Sequence, residues 1–476
     1  MFKKMLSLVV LLVSISTMLT GGWSKYFGGS DEDMGISVQQ TIDGGYIVCG
    51  FTDSWGPGNE SVYLLKTDDL GEMTWAKIFG GVETDVGFSI QQCTDSGYII
   101  CGYTESSGAG NYDIYLLKTD VNGVLSWTKT LGGTYEDRGK FICQTADNGF
   151  ILTGLTYSYG AGLSDAFLIK LDDQGNTLWS KYFGGINHDW CASVQQTSDG
   201  GYIICGGTSS YGSGDYDVYL IKTDQDGNDL WIETFGGAQS DNGYSVKQTS
   251  DGGYIIVGDT KSYGAGINDV YVIKTDSCGD TLWTRIFGGS THDIAYCIDE
   301  TRSGNFIITG ETSSFGAGYN DVYLISISAS GDLIWSKTLG GIGADCGRSV
   351  SYTADGGYII TGGTTSYGAG NSDIYLLKTD SNGVAVEETV IYYPHQISYS
   401  INQRGSNLVS LEFSLSQSSN VQLDIYDVSG RFISTPLTGS YSAGNHNVTF
   451  NMENKGVYFF SMKIDQTTHT GKYIIF

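Results

Sequence analysis

Proline is nearly absent from this sequence, three residues among 476, and positive charge is scarce, 25 Lys and Arg against 52 Asp and Glu. The net charge of −27 disfavours binding to nucleic-acid phosphates or to an anionic membrane surface. No segment after residue 19 is apolar enough to span a bilayer, so no transmembrane segment is expected once a leader is removed. There is no CxxC, no GxSxG, no HExxH and no Gly-rich phosphate loop opening a helix, so no catalytic residue is assigned. Histidine is rare too, five in all, and only His188 and His292 lie before residue 387. Against these absences stand 69 glycines and 33 tyrosines, a composition of many short strands joined by tight turns, with long helices not expected.

At the start, Lys3 and Lys4 precede an apolar run from Met5 to Leu19, followed by the small residues Thr20 and Gly22. Residues 1–22 therefore read as an export signal peptide cut near Gly22, with no Cys at the cut to carry a lipid.

Tryptophans then recur at 23, 75, 127, 179, 231, 283 and 335, a constant step of 52 residues, giving seven copies that end near residue 386. In the copy from Trp179, "LWSKYFGG", "SVQQT", "GYIICGGT" and "DVYLIKTD" read as four short strands, and "TSDGG" and "TDQDG" as hairpins. Runs such as "VYLIK" are apolar at consecutive positions, so both faces of each sheet should be covered. The predicted fold is all-β: a seven-bladed β-propeller over residues 23–386, with "SVQQT" innermost and the Trp strand outermost. An open solenoid would need polar caps, and none is present. Instead the last copy lacks a Trp strand and has Glu387 where an eighth Trp would fall. Residues 23–27 are therefore expected to close the ring by pairing with Ile374–Lys378.

Comparison of the copies sorts the remaining residues. The tryptophans should wedge between blades, and the lysines at 66, 118, 170, 222, 274 and 378 should be solvated. Asp224, Asp226 and Asp229 superficially resemble a calcium loop but lack its distal Glu, and read as a hairpin. Cys49, Cys101 and Cys205 share a position with Thr153, Val257, Thr309 and Thr361, which marks small buried strand residues instead of disulfides or metal ligands. Asp33, Asp85, Asp137, Asp189, Asp241, Asp293 and Asp345 recur just before the innermost strand. They either hold a hard cation such as calcium near the channel mouth or cap the loop backbone. One face of the ring carries near-identical Asp-Gly hairpins and the other the longer loops, where functional residues concentrate. On that face His188, Trp190, His292, Arg138 and Arg348 break the repeat. Trp55, Tyr159, Tyr211, Tyr263, Phe315 and Tyr367 recur there, covering blade tops or offering stacking surfaces for sugars. His188, Trp190, His292, Arg138, Arg348 and Trp55 are the candidate ligand-binding set.

After a linker at 387–395 the pattern changes. "LVSLEFSLSQSSNVQLDIYDVSGRFI" alternates apolar and polar residues, so residues 396–476 should form a small Ig-like β-sandwich. Val421, Leu423, Ile425, Tyr426, Asp427, Gly430 and Arg431, then Gly444 and His446, then Gly456, Tyr458 and Lys472, give this segment its order of motifs. In these residues it resembles the C-terminal sorting domain of type IX secretion substrates of Bacteroidota. It departs from that family at Tyr393, Pro394 and His395, where a Tyr-Pro-Asn-Pro is usual. The resemblance implies delivery across the outer membrane by the type IX machinery. The repeat itself resembles other secreted bacterial propellers with "WSKxFGG" and "DGGYI" signatures. It is more remotely similar to quinoprotein dehydrogenases, whose eight blades and adjacent-cysteine pair it lacks, so no cofactor is assigned.

The expected function is that of an exported binding scaffold, secreted or on the cell surface, with a glycan or a protein as ligand. A secreted polysaccharide-degrading enzyme and a purely structural surface or adhesion protein are the alternatives.

Overall fold

The computed structural model describes residues 22–385, 399–403, 408–415, 418–426, 431–442, 444–451, 456–464 and 467–475. The expected leader up to residue 21 and the linker lie outside them. The chain divides into two compact units at Glu387. No helix among the described residues is long and apolar enough to cross a membrane.

The first unit contains seven four-stranded antiparallel sheets. Blade 1 comprises Asp33–Gln40, Tyr46–Thr52, Ser61–Thr67 and Met73–Phe79, from the innermost strand outward. Five further blades repeat this order up to Leu333–Leu339. Blade 7 has Asp345–Tyr352, Tyr358–Thr364 and Asp373–Thr379 from one end of the repeats, and takes its outer strand, Trp23–Phe27, from the other. The register runs from Trp23 opposite Lys378 to Phe27 opposite Ile374. Each innermost strand contacts that of the next blade, and Asp345–Tyr352 contacts Asp33–Gln40, so the ring is closed around a central channel.

The apolar runs bury both faces of every sheet. Tyr202–Thr208 and Asp217–Thr223 are buried along their whole length. Ile204, Tyr202 and Tyr219 of blade 4 pack with Ile151, Ala166 and Leu168 of blade 3. The Trp wedge is present: Trp179 of blade 3 meets Tyr202 of blade 4 at a centroid distance of 6.0 Å. It also lies over the hairpin at Gly227, where a Cβ would sit 2.7 Å from the indole. All nine cysteines are free, and burial pushes the thiols of Cys49, Cys101 and Cys205 upward.

The repeated lysines correct an expectation, because they are not solvated. Lys66, Lys118, Lys170, Lys222, Lys274 and Lys378 are buried. Each ammonium pairs with the aspartate of the neighbouring hairpin, Asp43, Asp95, Asp147, Asp199, Asp251 or Asp355, at 2.7 to 3.0 Å. The Lys222 ammonium also donates to the Thr223 carbonyl at 2.8 Å. The hairpin sequence follows from this packing. Gly44 adopts a φ of 88°, while a Cβ at Gly45 would meet the Lys66 Nζ at 2.6 Å. In blade 6 both partners change together: Ser303 stands at the aspartate position and Ser326 at the lysine position. A buried ammonium without its carboxylate is costly, so the two positions vary as a pair.

The second unit contains a three-stranded sheet, Tyr399–Gln403, Leu408–Leu415 and Gly444–Asn451. It also has a four-stranded sheet in the order Phe432–Tyr441, Ser419–Tyr426, Gly456–Ile464, Thr467–Ile475. Val409, Leu411 and Phe413 of one sheet share a core with Val421, Leu423, Ile425, Leu437, Tyr458 and Met462 of the other. Of the sorting motif, Tyr426 ends one strand, Gly444 opens another at a φ of 122°, and Lys472 pairs in register with Phe459. Asp427 and Gly430 lie outside the described residues.

Candidate functional site

The aspartate ring resolves into seven separate structural networks. In each copy one carboxylate oxygen accepts a backbone N–H from the preceding Gly-Gly turn and a serine hydroxyl, as Asp241 does from Gly237 at 2.8 Å and Ser262 at 2.6 Å. The other oxygen of Asp241 accepts the Thr260 hydroxyl. All seven side chains are buried within their own blades. One oxygen of each is thus engaged locally. The other accepts a threonine hydroxyl at Asp137, Asp189, Asp241 and Asp293 but has no hydrogen bond at Asp33, Asp85 and Asp345 among the described residues. Among the described residues no group of three or more His, Cys, Asp and Glu is placed to hold a metal ion. Of the two readings of this ring, the geometry matches the loop cap, because a shared calcium ion needs converging oxygens.

The loop-rich rim is stitched in the same local manner. His188 Nδ1 lies 3.1 Å from Ser164 Oγ, and His292 Nδ1 lies 3.0 Å from Asn268 Oδ1. Both imidazoles bridge adjacent blades. The hydroxyls of Tyr159, Tyr211, Tyr263 and Tyr367 donate to glycine carbonyls at 2.8 to 3.1 Å. Trp55 leans on Tyr63, with ring centroids 5.5 Å apart. These half-exposed rings pin one loop to another.

A different set of residues converges on the channel. Every innermost strand carries a register shift that leaves its fourth residue unpaired: Ile36, Phe88, Lys140, Ala192, Tyr244, Tyr296 and Arg348. Such a bulge bends the strand and re-aims the side chain. These residues, with Met34, Val86 and Trp190 from the second strand position, line a cavity of about 570 Å³. Phe51, Tyr103 and Leu155 complete its wall from the adjoining strands.

The cavity is aromatic on two sides. Trp190 stacks with Tyr244 at 5.7 Å, and Tyr244 meets Tyr296 at 5.5 Å. Arg348 lies 4.0 Å above the Tyr296 ring. Across the ring order, Phe88 packs on Tyr103 at 5.6 Å, and the Lys140 ammonium sits 3.7 Å from the Phe88 centroid. Trp190 can lie flat because Gly207 is beneath it: a Cβ there would be 2.8 Å from the indole. The other blades place Phe51, Tyr103, Leu155, Asp259, Glu311 and Gly363 at that position.

Charge in the wall is unevenly compensated. Tyr296 donates to Glu311 at 2.8 Å, and Asp259 accepts from Asn242 and Asn268. Burial pushes the Asp259 carboxyl up, and that of Glu60 as well, where Asp53 and Glu32 add to the effect. Burial, with Arg138 nearby, pulls Lys140 down to about 8. Arg138 itself pairs with Glu136 at 2.7 Å and lies over Tyr103 and Tyr112. Below the aromatic level the channel continues as a space of about 260 Å³ lined by Gln39, Gln91, Gln195, Lys247 and Asp299. Gln39 accepts the Gln92 N–H of the next blade at 2.7 Å, and Lys247 pairs with Asp299 at 2.7 Å.

Of the candidate set, Trp190 and Arg348 line the cavity and Arg138 backs its Tyr103 wall. His188, His292 and Trp55 are not among its lining residues. Lys140, Phe88, Tyr103, Tyr244 and Tyr296 were not anticipated. Their signal lies in the copy comparison, since the second and fourth positions of the innermost strand vary from blade to blade while the first is always Asp.

Known proteins resemble parts of this chain. The regulatory protein FlaEY of Caulobacter vibrioides is 26% identical over 199 residues, covering 36% of this chain and 20% of that protein. The chain thus spans about a fifth of that relative's length. Among solved structures, puromycin hydrolase is similar with a TM-score of 0.47 at 12% identity, over 82% of this chain and 60% of that one. The β-propeller domain of the Trilobed protease from Pyrococcus furiosus is similar with a TM-score of 0.36 at 9% identity, over 78% and 99%. Residues 406–476 match the secretion system C-terminal sorting domain family. With that match on the strands of the second unit, the chain is a seven-bladed propeller that carries a sorting domain for export by type IX secretion.

Proposed function

We propose that the propeller is a binding module that receives a sugar chain in the channel cavity, and that its sorting domain delivers it to the cell surface or medium. The observation that carries this reading is the continuous aromatic wall of Trp190, Tyr244 and Tyr296 in a cavity of about 570 Å³. That size falls among small-ligand sites of roughly 300–1,000 Å³. Aromatic faces stack against the apolar C–H faces of sugar rings, while Arg348, Glu60 and serine hydroxyls in the wall supply polar contacts.

Binding is tested with the full chain beginning at Gly22 and a panel of polysaccharides. Trp190→Ala should weaken retention by about tenfold or more while the propeller stays folded, with a melting temperature lowered by only a few degrees, because the part-buried indole lies on the cavity wall against Gly207 and Tyr244. Release of shortened sugars would favour the polysaccharide-degrading reading, for which Glu60 is the protonatable acid in the wall. Delivery is tested by removing residues 406–476 in a host with a type IX system. The truncated propeller should stay inside the cell envelope on fractionation, and its normal appearance outside would contradict the sorting role.

A further inference from the structure

Most charged groups around the channel are already partnered. Lys247 has Asp299, Arg138 has Glu136, Glu311 has the Tyr296 hydroxyl, and Asp259 has Asn242 and Asn268. Lys140 is different. Among the described residues its ammonium has no ion pair and no hydrogen bond, only the Phe88 ring at 3.7 Å. The fold does not require a cation there, because Ile36, Phe88 and Ala192 occupy the same bulge position in other blades. An unpaired ammonium against an aromatic wall is a standing cost in stability, which a ligand can offset by bringing the missing anion. A chain of net charge −27 repels anions at long range, so an anionic ligand needs a local cation of this kind. Arg348, likewise without an ion pair among the described residues, places a second cation in the same cavity.

We propose that the cavity recognises an acidic sugar, a uronic acid residue whose carboxylate pairs with Lys140 while its ring stacks on the aromatic wall. This rests on the cavity being the binding site. Lys140 remains mostly protonated at neutral pH, since burial and Arg138 lower it only to about 8. Nothing covalent is involved: the carboxylate replaces water around the ammonium and gains a charge-assisted hydrogen bond in a low-dielectric site.

The experiment measures binding of oligogalacturonate, and of the same oligosaccharide with its carboxyl groups reduced to alcohols, to the full chain beginning at Gly22. The parent should bind the acidic form about tenfold or more tightly than the reduced form, with the preference shrinking at high salt. Lys140→Met should abolish the preference and leave affinity for the reduced form unchanged, and Lys140→Arg should restore much of it. Trp190→Ala should weaken both forms equally. If the parent binds both forms alike and Trp190→Ala still weakens them, the acidic specificity is wrong and the cavity reading stands. If Trp190→Ala changes neither, or the parent binds neither form, both are overturned.

Discussion

A chain that begins at Ser30 instead of Gly22 should melt roughly 5–10 °C lower than its parent and associate on gel filtration. The lost segment holds the strand Trp23–Phe27, whose pairing with Ile374–Lys378 completes blade 7. It also holds the wedge at the junction of blades 7 and 1, where Trp23 meets Tyr46 at 5.6 Å and covers the hairpin at Gly71. Phe27 packs in the same cluster as Val38, Tyr63 and Ile374. Removing a large aromatic from such a contact costs about 3–5 kcal/mol when fully buried, and the half-buried Trp23 sits at the lower end. The ladder and Phe27 add to that. The exposed edge of Asp373–Thr379 then becomes a template for pairing with another chain. An unchanged melting temperature in calorimetry would mean that the ring does not depend on this closure.

Asp199→Ala should destabilise the propeller by about 1–3 kcal/mol, because it leaves the Lys222 ammonium buried without its carboxylate. The cost is below that for a fully enclosed pair, since the Asp199 side chain is 58% exposed and partly screened. The double change Asp199→Ser with Lys222→Ser reproduces blade 6, where Ser303 and Ser326 coexist, and should recover most of the loss. The same pair sets the acid limit. Burial pushes the Asp199 carboxyl up, but hydrogen bonds from Thr197 and Lys222 outweigh it and hold the group at about 2. A carboxylate with a depressed folded pKa contributes stability above its unfolded value near 3.8, and that contribution fades as pH falls toward about 2. Asp43, Asp95, Asp147, Asp251 and Asp355 are lowered likewise, so urea midpoints should drop steeply between pH 4 and about 2. The drop should be shallower in Asp199→Ala. A double-serine chain no more stable than the single variant would contradict the pairing.

Ring closure was legible in the sequence because Trp23 keeps the phase of the repeat while Glu387 breaks it. The lysine burial was not, although its trace was present. A lysine beside a turn looks solvated until its partner, 23 residues earlier across two strands, is seen to change with it in blade 6. The site was half legible for a related reason. Residues that break the repeat attract attention wherever they lie, and His188 and His292 break it at blade junctions, where they serve the junction. Trp190 and Arg348 break it on the channel strand. Strict strand alternation cannot show that a bulge turns the fourth residue of that strand toward the channel, so Lys140, Tyr244 and Tyr296 passed unnoticed. The aspartates were conspicuous for the opposite reason: every blade needs the same loop cap.

The most direct measurement is the affinity of the full chain for a retained glycan, compared between Tyr296→Ala and Trp190→Ala in the cavity and Trp55→Ala and Tyr211→Ala on the rim. The cavity changes should each weaken binding by about tenfold or more, and the rim changes by less than about twofold. Loss of binding from the rim variants with the cavity variants unaffected would place the ligand on the blade tops and contradict a channel site.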